Sequence, residues 1–396
     1  MPLILSPTQV GFNAREDGKF NRTFPEQAVF FKNKLNMPTE HYQDVLAAGH
    51  DRAFMVAGAM KADLLTDLKS AVDKVIRDGK SFGAFQKDFE AIVQKHGWEG
   101  WTGSDTQAGR DWRARVIYQT NLSTSYSAGR YQQMMDPGVL AALPYWKYLH
   151  NDSVHHPRPL HVEWNSTVLP HDDPWWDVHF APNGYGCRCR IIPVDATEYE
   201  GKPAPDNGTY TFVDKQGVSH QVPMGIDYGF GYTPGKSVAQ QDVPLREMMQ
   251  TKLAGYEPPI GKGLAQAVNA YLADEKKGSA MATQVLAHSE TDKAPAWVGL
   301  VAEPARLQRV TGIDTKGFAI LLPAAAIRHS ATHGATATDF DQVAHVINTG
   351  ELSQSIDEAA FVAVLALGDA VLHGEFTVDT ALQAVLLKSL LSHKKP

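Results

Sequence analysis

The N-terminal third of the chain carries apolar residues at the three- and four-residue spacing of amphipathic helices. One such series spans residues 50–77, a second spans 82–93, and a third spans 112–135. Between the first two, Asp78-Gly79-Lys80-Ser81 provides a glycine to end one helix and a serine to cap the next. The pattern predicts a mostly helical N-terminal region.

Short apolar runs separated by turn residues replace this pattern after residue 136. They predict strands and loops up to residue 194, and the alternation over residues 209–222 around Gly217 predicts a β-hairpin. The following segment, 225–235, is so rich in glycine that we expect an extended arm or linker without regular structure.

The C-terminal third mixes both patterns. Helices are predicted over residues 263–273, after Gly278, over 323–333 and over 339–347, whereas strand-like runs occur at 297–301 and 318–322. Further hydrophobic runs occur at 361–367, 370–378 and 382–391. The Gly368-Asp369 pair favours a hairpin between the first two of these, and their Ala and Leu content leaves helix as the alternative.

Together these elements predict the α+β class. A mostly helical N-terminal region with a Cys/His loop module should be followed by a small α+β C-terminal domain. The expected boundaries are an N-terminal arm over residues 1–24, a first domain over 25–199, a hairpin and extended linker over 200–258, and the C-terminal domain over 259–396.

Composition narrows the possible functions. The chain has 396 residues, a net charge of −7, 43% hydrophobic residues and two cysteines. The negative charge argues against a general nucleic-acid or membrane binder, because no overall positive field would attract phosphates. Two cysteines exclude a disulfide scaffold and fit synthesis in a reducing cytoplasm. We expect no signal peptide and no membrane span.

Candidate metal chemistry is concentrated in residues 145–193. This stretch holds both cysteines, four of the eight tryptophans and six histidines. Cys187 and Cys189 are one residue apart, so they can hardly close a relaxed disulfide with each other, but they can face one ion. His161 is the expected third ligand, and His179 or His150 is the fourth. Four such ligands predict a closed structural zinc site.

Two alternatives to structural zinc stay open. A catalytic zinc would need an open coordination position and a general base, for which Glu163 and Asp177 are the candidates. Without a metal, the two cysteines would be buried free thiols packed among tryptophans, where cysteine behaves as a small hydrophobe.

Several separate motifs occur in a fixed order along residues 25–235. They are Phe30-Phe31-x-x-Lys34, Asp78-Gly79-Lys80-Ser81, Phe85-x-x-x-Phe89, Gly97-Trp98, Arg113-Ala114-Arg115-Val116-Ile117-Tyr118-Gln119-Thr120-Asn121, Ala128-Gly129-Arg130, Arg158-Pro159-x-His161, Pro182-Asn183-Gly184-Tyr185-Gly186-Cys187-Arg188-Cys189 and Gly225-Ile226-Asp227-x-Gly229-Phe230. In this order they resemble the Mu F-like minor head protein family of tailed bacteriophages and prophages.

The resemblance implies a minor head (capsid) protein that acts in head morphogenesis at the portal end of the capsid. Its implied locations are the virion and, during assembly, the host cytoplasm. Its implied partners are the portal, other head proteins and phage DNA, through a role in DNA packaging or ejection. The sequence departs from the family's Pro-x-x-Pro-Asn-Cys-Arg-Cys pattern, because Gly184-Tyr185-Gly186 intervenes before Cys187 and lengthens the turn.

The C-terminal domain resembles, in one helix with its histidines, the barnase, endonuclease-U and colicin-like ribonuclease domains often fused after Mu F-like regions. His329 and His333 are four residues apart and should therefore share one face of that helix. A histidine pair can deprotonate the 2′-hydroxyl of RNA and protonate the leaving oxygen without a metal.

Further residues would complete such a ribonuclease site. Arg328 or Lys388 would stabilise the charged transition state, and Ser389 or Ser392 on the last strand would accompany the pair. Charge argues against this function, since residues 296–396 hold seven Lys and Arg against ten Asp and Glu. The leading prediction is a nonenzymatic head protein, and a virion-delivered, toxin-like ribonuclease that acts on RNA is the alternative.

Overall fold

The structure is a computed structural model of the chain. It describes residues 24–154, 156–214, 217–238, 243–287, 294–357 and 359–394. The chain divides into two compact units, Met1–Gln241 and Asp242–Pro396. Of the N-terminal arm predicted over residues 1–24, all but the last residue lies outside the described residues.

The described part of the first unit contains helices and short strands. The helices are α1 (Pro25–Lys32), α2 (Gly49–Arg52), α3 (Ala62–Asp78), α4 (Phe82–His96), α5 (Gln107–Met134), α6 (Pro137–Ala142), α7 (Pro159–Glu163) and α8 (Trp176–His179), with 3₁₀ turns at Tyr42–Asp44, Ala196–Glu198 and Lys236–Val238. The strands are β1 (Leu35–Asn36), β2 (Ala53–Phe54), β3 (Tyr145–Leu149), β4 (Val168–Pro170), β5 (Arg190–Val194), β6 (Thr209–Val213) and β7 (Ser219–Pro223).

The junction between α3 and α4 has the predicted stop and start signals. Gly79 follows α3 with a φ of +64°, and Ser81 caps α4 by accepting a hydrogen bond from the Ala84 amide. The helix predicted to begin near residue 50 is instead interrupted, because β2 pairs with β1 and a turn at Gly58 separates β2 from α3.

Helices α1, α3, α4 and α5 enclose one hydrophobic core. Its largest fully buried side chains are Phe31, Phe54, Phe85, Phe89 and Tyr118. Gly129 of α5 lies directly against α1, since a Cβ at this position would stand 2.8 Å from the Gln27 backbone nitrogen. The two helices can approach this closely because residue 129 has no side chain.

Strand β3 is the centre of a three-stranded antiparallel sheet with the order β4-β3-β5. Its register pairs Leu149 with Arg190, the last residue of β3 with the first of β5. The residues just outside this pair, His150 and Cys189, are therefore neighbours in space although 39 residues apart in sequence. Tryptophans 146, 164, 175 and 176 are buried around this sheet.

The predicted hairpin is confirmed as β6 and β7. The segment after it, 225–235, has no helix or strand, as predicted, but it is not a free linker. Ile226, Phe230, Tyr232 and Thr233 are buried in the first unit. The glycines of this segment alternate with apolar and aromatic residues, and these side chains fix it to the core.

The described part of the second unit contains six helices and six strands. The helices are α9 (Val243–Gly255), α10 (Pro258–Asp274), α11 (Lys277–Ala287), α12 (Pro304–Thr311), α13 (Ala324–Thr332) and α14 (Val343–Thr349), with a 3₁₀ turn at Ala337–Gln342. The strands are β8 (Ala296–Leu300), β9 (Ala319–Leu322), β10 (Glu351–Gln354), β11 (Ala360–Leu367), β12 (Ala370–Asp379) and β13 (Ala384–Lys394). Helix α9 lies in the range predicted to be a linker, which is a difference from the sequence analysis.

The six strands form one sheet with the order β10-β11-β12-β13-β9-β8, in which only β13 and β9 are parallel. Helix α13 is fastened to β13 by Ser330, whose buried Oγ donates to the Ala326 carbonyl at 2.6 Å and accepts from the Leu390 amide at 2.8 Å. The α+β class is therefore confirmed. No helix among the described residues is long and apolar enough to cross a membrane.

Candidate metal centre

The two cysteines lie in the loop that leads into β5. Gly186, with a φ of +71°, turns this loop, and both sulfurs then face the ring of His161 on α7. The ligand atoms of His161, Cys187 and Cys189 all lie within 4.8 Å of one another. The structure thus brings together three of the four metal ligands predicted from the sequence.

The spacing of these atoms matches the edges of a tetrahedral metal site. Nδ1 of His161 lies 3.7 Å from Sγ of Cys187 and 3.6 Å from Sγ of Cys189. A tetrahedral zinc ion bound at about 2.3 Å to sulfur and about 2.0 Å to nitrogen would hold such a pair of atoms roughly 3.5 Å apart. The three groups could therefore bind one ion with little movement.

The hydrogen bond made by Nε2 of His161 determines which of its two ring nitrogens can bind a metal. Its Nε2 lies 2.8 Å from the Gly225 carbonyl oxygen, an acceptor, so Nε2 carries the proton. In the neutral ring Nδ1 then presents a lone pair to the two sulfurs. A hydrogen bond of this kind to a backbone carbonyl is the usual support of a metal-bound histidine.

The two thiols titrate as a pair. The hydrogen bond from Cys189 holds the pKa of Cys187 well below its usual value, and the same bond, together with burial, raises the pKa of Cys189. Cys187 is therefore the more acidic of the two thiols. A divalent cation at this position would favour the thiolate form of both cysteines.

His179, predicted as one choice of fourth ligand, lies apart from this group. Its ring stacks on Trp175 at 4.2 Å between centroids, and its Nδ1 is 3.0 Å from the Trp175 carbonyl oxygen. The other choice, His150, is better placed, because its Nδ1 is 3.5 Å from Sγ of Cys189. This proximity comes from the β3–β5 register.

The acidic residues considered as general bases for a catalytic zinc have partners elsewhere. Asp177 forms an ion pair with Lys236, and Glu163 accepts a hydrogen bond from Asn207 at 3.4 Å. Neither residue belongs to the group of ligand atoms. The arrangement favours a structural metal over a catalytic one.

Sequence reasoning did not recognise two charged residues beside the cysteine loop, Arg158 and Asp227. The guanidinium of Arg158 donates two hydrogen bonds of 2.8 Å to the Asp227 carboxylate, which also accepts from the Tyr185 amide. Tyr185 is the central residue of the three that lengthen the turn. Both charged residues occur within the ordered motifs, near His161 and Gly225. Their place in these motifs is the sequence signal that could identify them.

The predicted ribonuclease residues of the second unit are only partly assembled. His329 and His333 are exposed, with ring centroids 4.5 Å apart, and Arg328 is half-buried beside them in the same helix. Leu390 is buried in the same core cluster as Ile327 of α13, and the neighbouring Ser389 projects from the opposite face of β13 because successive strand residues alternate. Ser389 therefore faces away from the histidines.

The remaining ribonuclease candidates lie on β13 as well. The amine of Lys388 is 2.9 Å from Asp357 and 3.4 Å from Glu375. The backbone oxygen of Ser392 lies near Gly334, just beyond α13. The described residues thus show a histidine pair without an assembled set of partners.

Comparison with known proteins finds a similarity to Mu F-like phage proteins within the first unit. Residues 66–192, which include all three grouped ligands, match the family model described as Phage Mu protein F like protein. The resemblance predicted from the ordered motifs is therefore confirmed.

Two relatives are similar over more than half of the chain. One is the "Putative capsid assembly protein F" of Escherichia phage Mu, 28% identical over 58% of this chain and 58% of its own length. The other is the "Mu-like prophage FluMu F protein" of Haemophilus influenzae, 35% identical over 54% of this chain and 57% of its own length. The chain thus spans less than three fifths of the length of these relatives. No solved structure matches the chain significantly.

We predict that His179 makes the first unit sensitive to acid. Burial lowers the pKa of its imidazole from the ordinary 6.5 to about 4. Between pH 6.5 and 4 the unfolded chain takes up a proton that the folded chain does not, so the free energy of unfolding falls by up to roughly 3 kcal/mol. Above pH 6.5 His179 is neutral in both the folded and the unfolded chain, so it causes no loss in the free energy of unfolding.

Urea unfolding at several pH values checks this expectation. His179→Phe keeps the stack on Trp175 and removes the titration, so its stability should depend less on pH than that of the wild type. His156→Phe, at an exposed position, is the matched control and should leave the pH dependence unchanged. Identical pH profiles for His179→Phe and the wild type would contradict the assignment.

Proposed function

We propose that this protein is a minor head protein of a phage or prophage that acts in capsid assembly. The observation that carries the proposal is the family match over residues 66–192, which includes α4, α5 and the three grouped metal ligands. The name of the phage Mu relative, a putative capsid assembly protein, supports the same role. The expected partners are other head proteins.

The finer role that we propose is at the portal end of the head, in DNA packaging or ejection. The protein would be present in the virion and, during assembly, in the host cytoplasm. Contact with the portal and with phage DNA belongs to this proposal. The net charge of −7 favours protein partners over a broad DNA-binding face.

Deleting the coding sequence from the phage or prophage that carries it tests the assembly role. We expect loss of infectious particles and accumulation of aberrant or empty heads in electron micrographs, restored by expression of the wild-type chain. The protein should also be detected by mass spectrometry in purified wild-type virions. Normal yields of infectious particles without the protein would rule out an essential assembly role.

We also propose that the cysteine module, which comprises the β4-β3-β5 sheet, α7 and the loop before β5, binds one structural zinc ion. Cys187, Cys189 and His161 would supply three ligands, and His150 would supply the fourth after a small movement of its side chain. Two thiolates and two neutral imidazoles form a closed ligand set that zinc prefers. When bound, the ion would neutralise the thiolates and cross-link β3, α7 and the loop before β5.

Metal binding by the purified full-length chain tests this proposal. We expect one zinc per chain, and in the cobalt-substituted protein a thiolate-to-cobalt absorption band that is lost in Cys187→Ser/Cys189→Ser. His150→Ala should weaken zinc binding by more than the roughly 10- to 100-fold expected for loss of an outer partner. His179→Phe is the control and should bind zinc as the wild type does. Equal affinities in all these variants would refute the site.

A second function, ribonuclease activity of the second unit, is favoured by one observation. The rings of His329 and His333 lie 4.5 Å apart on an exposed helix end, and two such histidines can exchange protons with one substrate. The absence of Ser389 from that face and the ion pairs of Lys388 weigh against it. We therefore keep it as the alternative to a purely structural role.

Incubation of the full-length chain with labelled single-stranded RNA in a metal chelator separates these roles. If the unit is a ribonuclease, cleavage should occur in the wild type and disappear in His329→Ala/His333→Ala. His345→Ala, at another exposed helical position of the same unit, is the control. Cleavage that survives in the double variant would dismiss the histidine pair as its source.

A further inference from the structure

The loop that carries the two cysteines is held by a segment that supplies none of the metal ligands. We call residues 225–237 the strap. Its first residue accepts the hydrogen bond from His161 at 2.8 Å, and its third, Asp227, binds Arg158. Arg158 is the N-cap residue of α7 and His161 lies within α7. Helix α7 and the strap are therefore joined by two contacts, His161 with Gly225 and Arg158 with Asp227. The lengthened turn, Gly184-Tyr185-Gly186, lies next to the second contact.

The contact between Arg158 and Asp227 encloses the lengthened turn. Asp227 Oδ2 accepts from the Tyr185 amide at 2.9 Å, and Arg158 Nη2 donates to the Tyr185 carbonyl at 3.2 Å. The Asp227 amide donates to the Asn183 carbonyl at 2.9 Å. The pair thus binds backbone groups on both sides of Gly184, at Asn183 and Tyr185, within six residues of both cysteines.

The fit at this point leaves no room for other side chains. A Cβ at Gly184 would lie 2.3 Å from Nη1 of Arg158 and 2.4 Å from Oδ2 of Asp227. A Cβ at Gly225, where φ is +85°, would lie 2.6 Å from the indole of Trp164. Trp164 in turn stacks on His161. The close packing means that the turn, the strap and the ligand ring adopt their positions together.

The ion pair between Arg158 and Asp227 is too exposed to contribute much to the stability of the fold. Arg158 and Asp227 are each about one third exposed, at 34% and 35% of their side-chain surface. Ion pairs at such exposure contribute little net stability, but a bidentate arginine–carboxylate pair fixes geometry well. The pair binds backbone of Tyr185, two residues before Cys187.

We propose that Arg158 and Asp227 are positioning residues of the metal centre, and that they hold the lengthened turn in the conformation in which both sulfurs face His161. This inference rests on the proposed zinc site. Because binding effects are reciprocal, a turn held in the ligating conformation binds the ion more tightly, and the bound ion fastens the strap. The expected strength of the effect is that of an outer partner, roughly 10- to 100-fold in metal affinity.

The far end of the strap is anchored independently of the metal. Thr233 donates to the Trp176 carbonyl at 2.7 Å, and Asp51 accepts from the Gly235 amide and the Ser237 hydroxyl. Removing the ion should therefore loosen the strap only at its near end. Hydrogen exchange of residues 183–189 and 225–230 should accelerate on zinc removal, whereas that of 233–237 should not.

Zinc affinity measured on the full-length chain, by competition with a chromophoric chelator, tests the positioning role. Asp227→Asn and Arg158→Gln should each bind zinc about 10- to 100-fold more weakly than the wild type. The double variant should be no weaker than the weaker single variant, because either change removes the whole contact. Arg158→Lys, which keeps the charge but loses the two-pronged geometry, should rank between Arg158→Gln and the wild type.

Glu198→Gln is the matched control, since Glu198 pairs with Lys147 of the same module at 2.7 Å without touching the turn. Its zinc affinity should equal that of the wild type. The metal-free forms of Asp227→Asn and the wild type should unfold at similar urea concentrations, which separates positioning from a general loss of stability.

The outcomes distinguish this inference from the zinc site on which it rests. If the wild type binds no zinc, both fall together. If the wild type binds zinc and the folded Asp227→Asn and Arg158→Lys variants bind it equally well, the positioning role is overturned and the zinc site stands. Should Asp227→Asn fail to fold, Arg158→Lys and the exchange of residues 225–230 with and without zinc decide the question alone.

Discussion

The first unit depends on the way one buried imidazole is shared between two parts of the chain. His161 is 2% exposed; one ring nitrogen faces both cysteine sulfurs, and the other donates to the Gly225 carbonyl. A neutral imidazole has one N–H, so satisfying the carbonyl leaves a lone pair for the sulfur side. The same ring therefore connects the cysteine loop to the strap. A change in the position of one should alter the position of the other through this ring.

A second buried polar group connects the strap to the helical region. Asp51 is 3% exposed, and burial raises the pKa of its carboxyl, an effect opposed by the hydrogen bonds from Gly235 and Ser237. Lys34 lies close enough to Asp51 to interact with it, and burial lowers the pKa of that lysine to about 8. Buried charge is costly unless it is partnered, so these contacts specify where the strap ends. The cysteine module and the helical core are thereby held as one unit.

Features that are set by local residue spacing could be predicted from the sequence. Features that are set by the pairing register of distant strands could not. Helices α3 and α4 and their caps follow from apolar periodicity and from Gly79 and Ser81. The choice between His150 and His179 depends on the pairing of Leu149 with Arg190, which no local pattern encodes. The orientation of Ser389 depends on a bulge between β12 and β13, which shifts which residues face the core. The glycines of the strap predict a linker, whereas its buried side chains, Ile226, Phe230 and Tyr232, fix it to the core.

The two units have separate hydrophobic cores, so the function of each unit can be considered independently of the other. The core of the second unit is built from α11–α14 and its sheet, with Phe340, Phe361 and Phe376 fully buried. The core of the helical region and that of the cysteine module lie wholly within the first unit. The family match also ends at residue 192, inside the first unit. A fold with its own core can acquire or lose a chemical activity without changing its neighbour, so the proposed head-protein role does not depend on whether the second unit cleaves RNA.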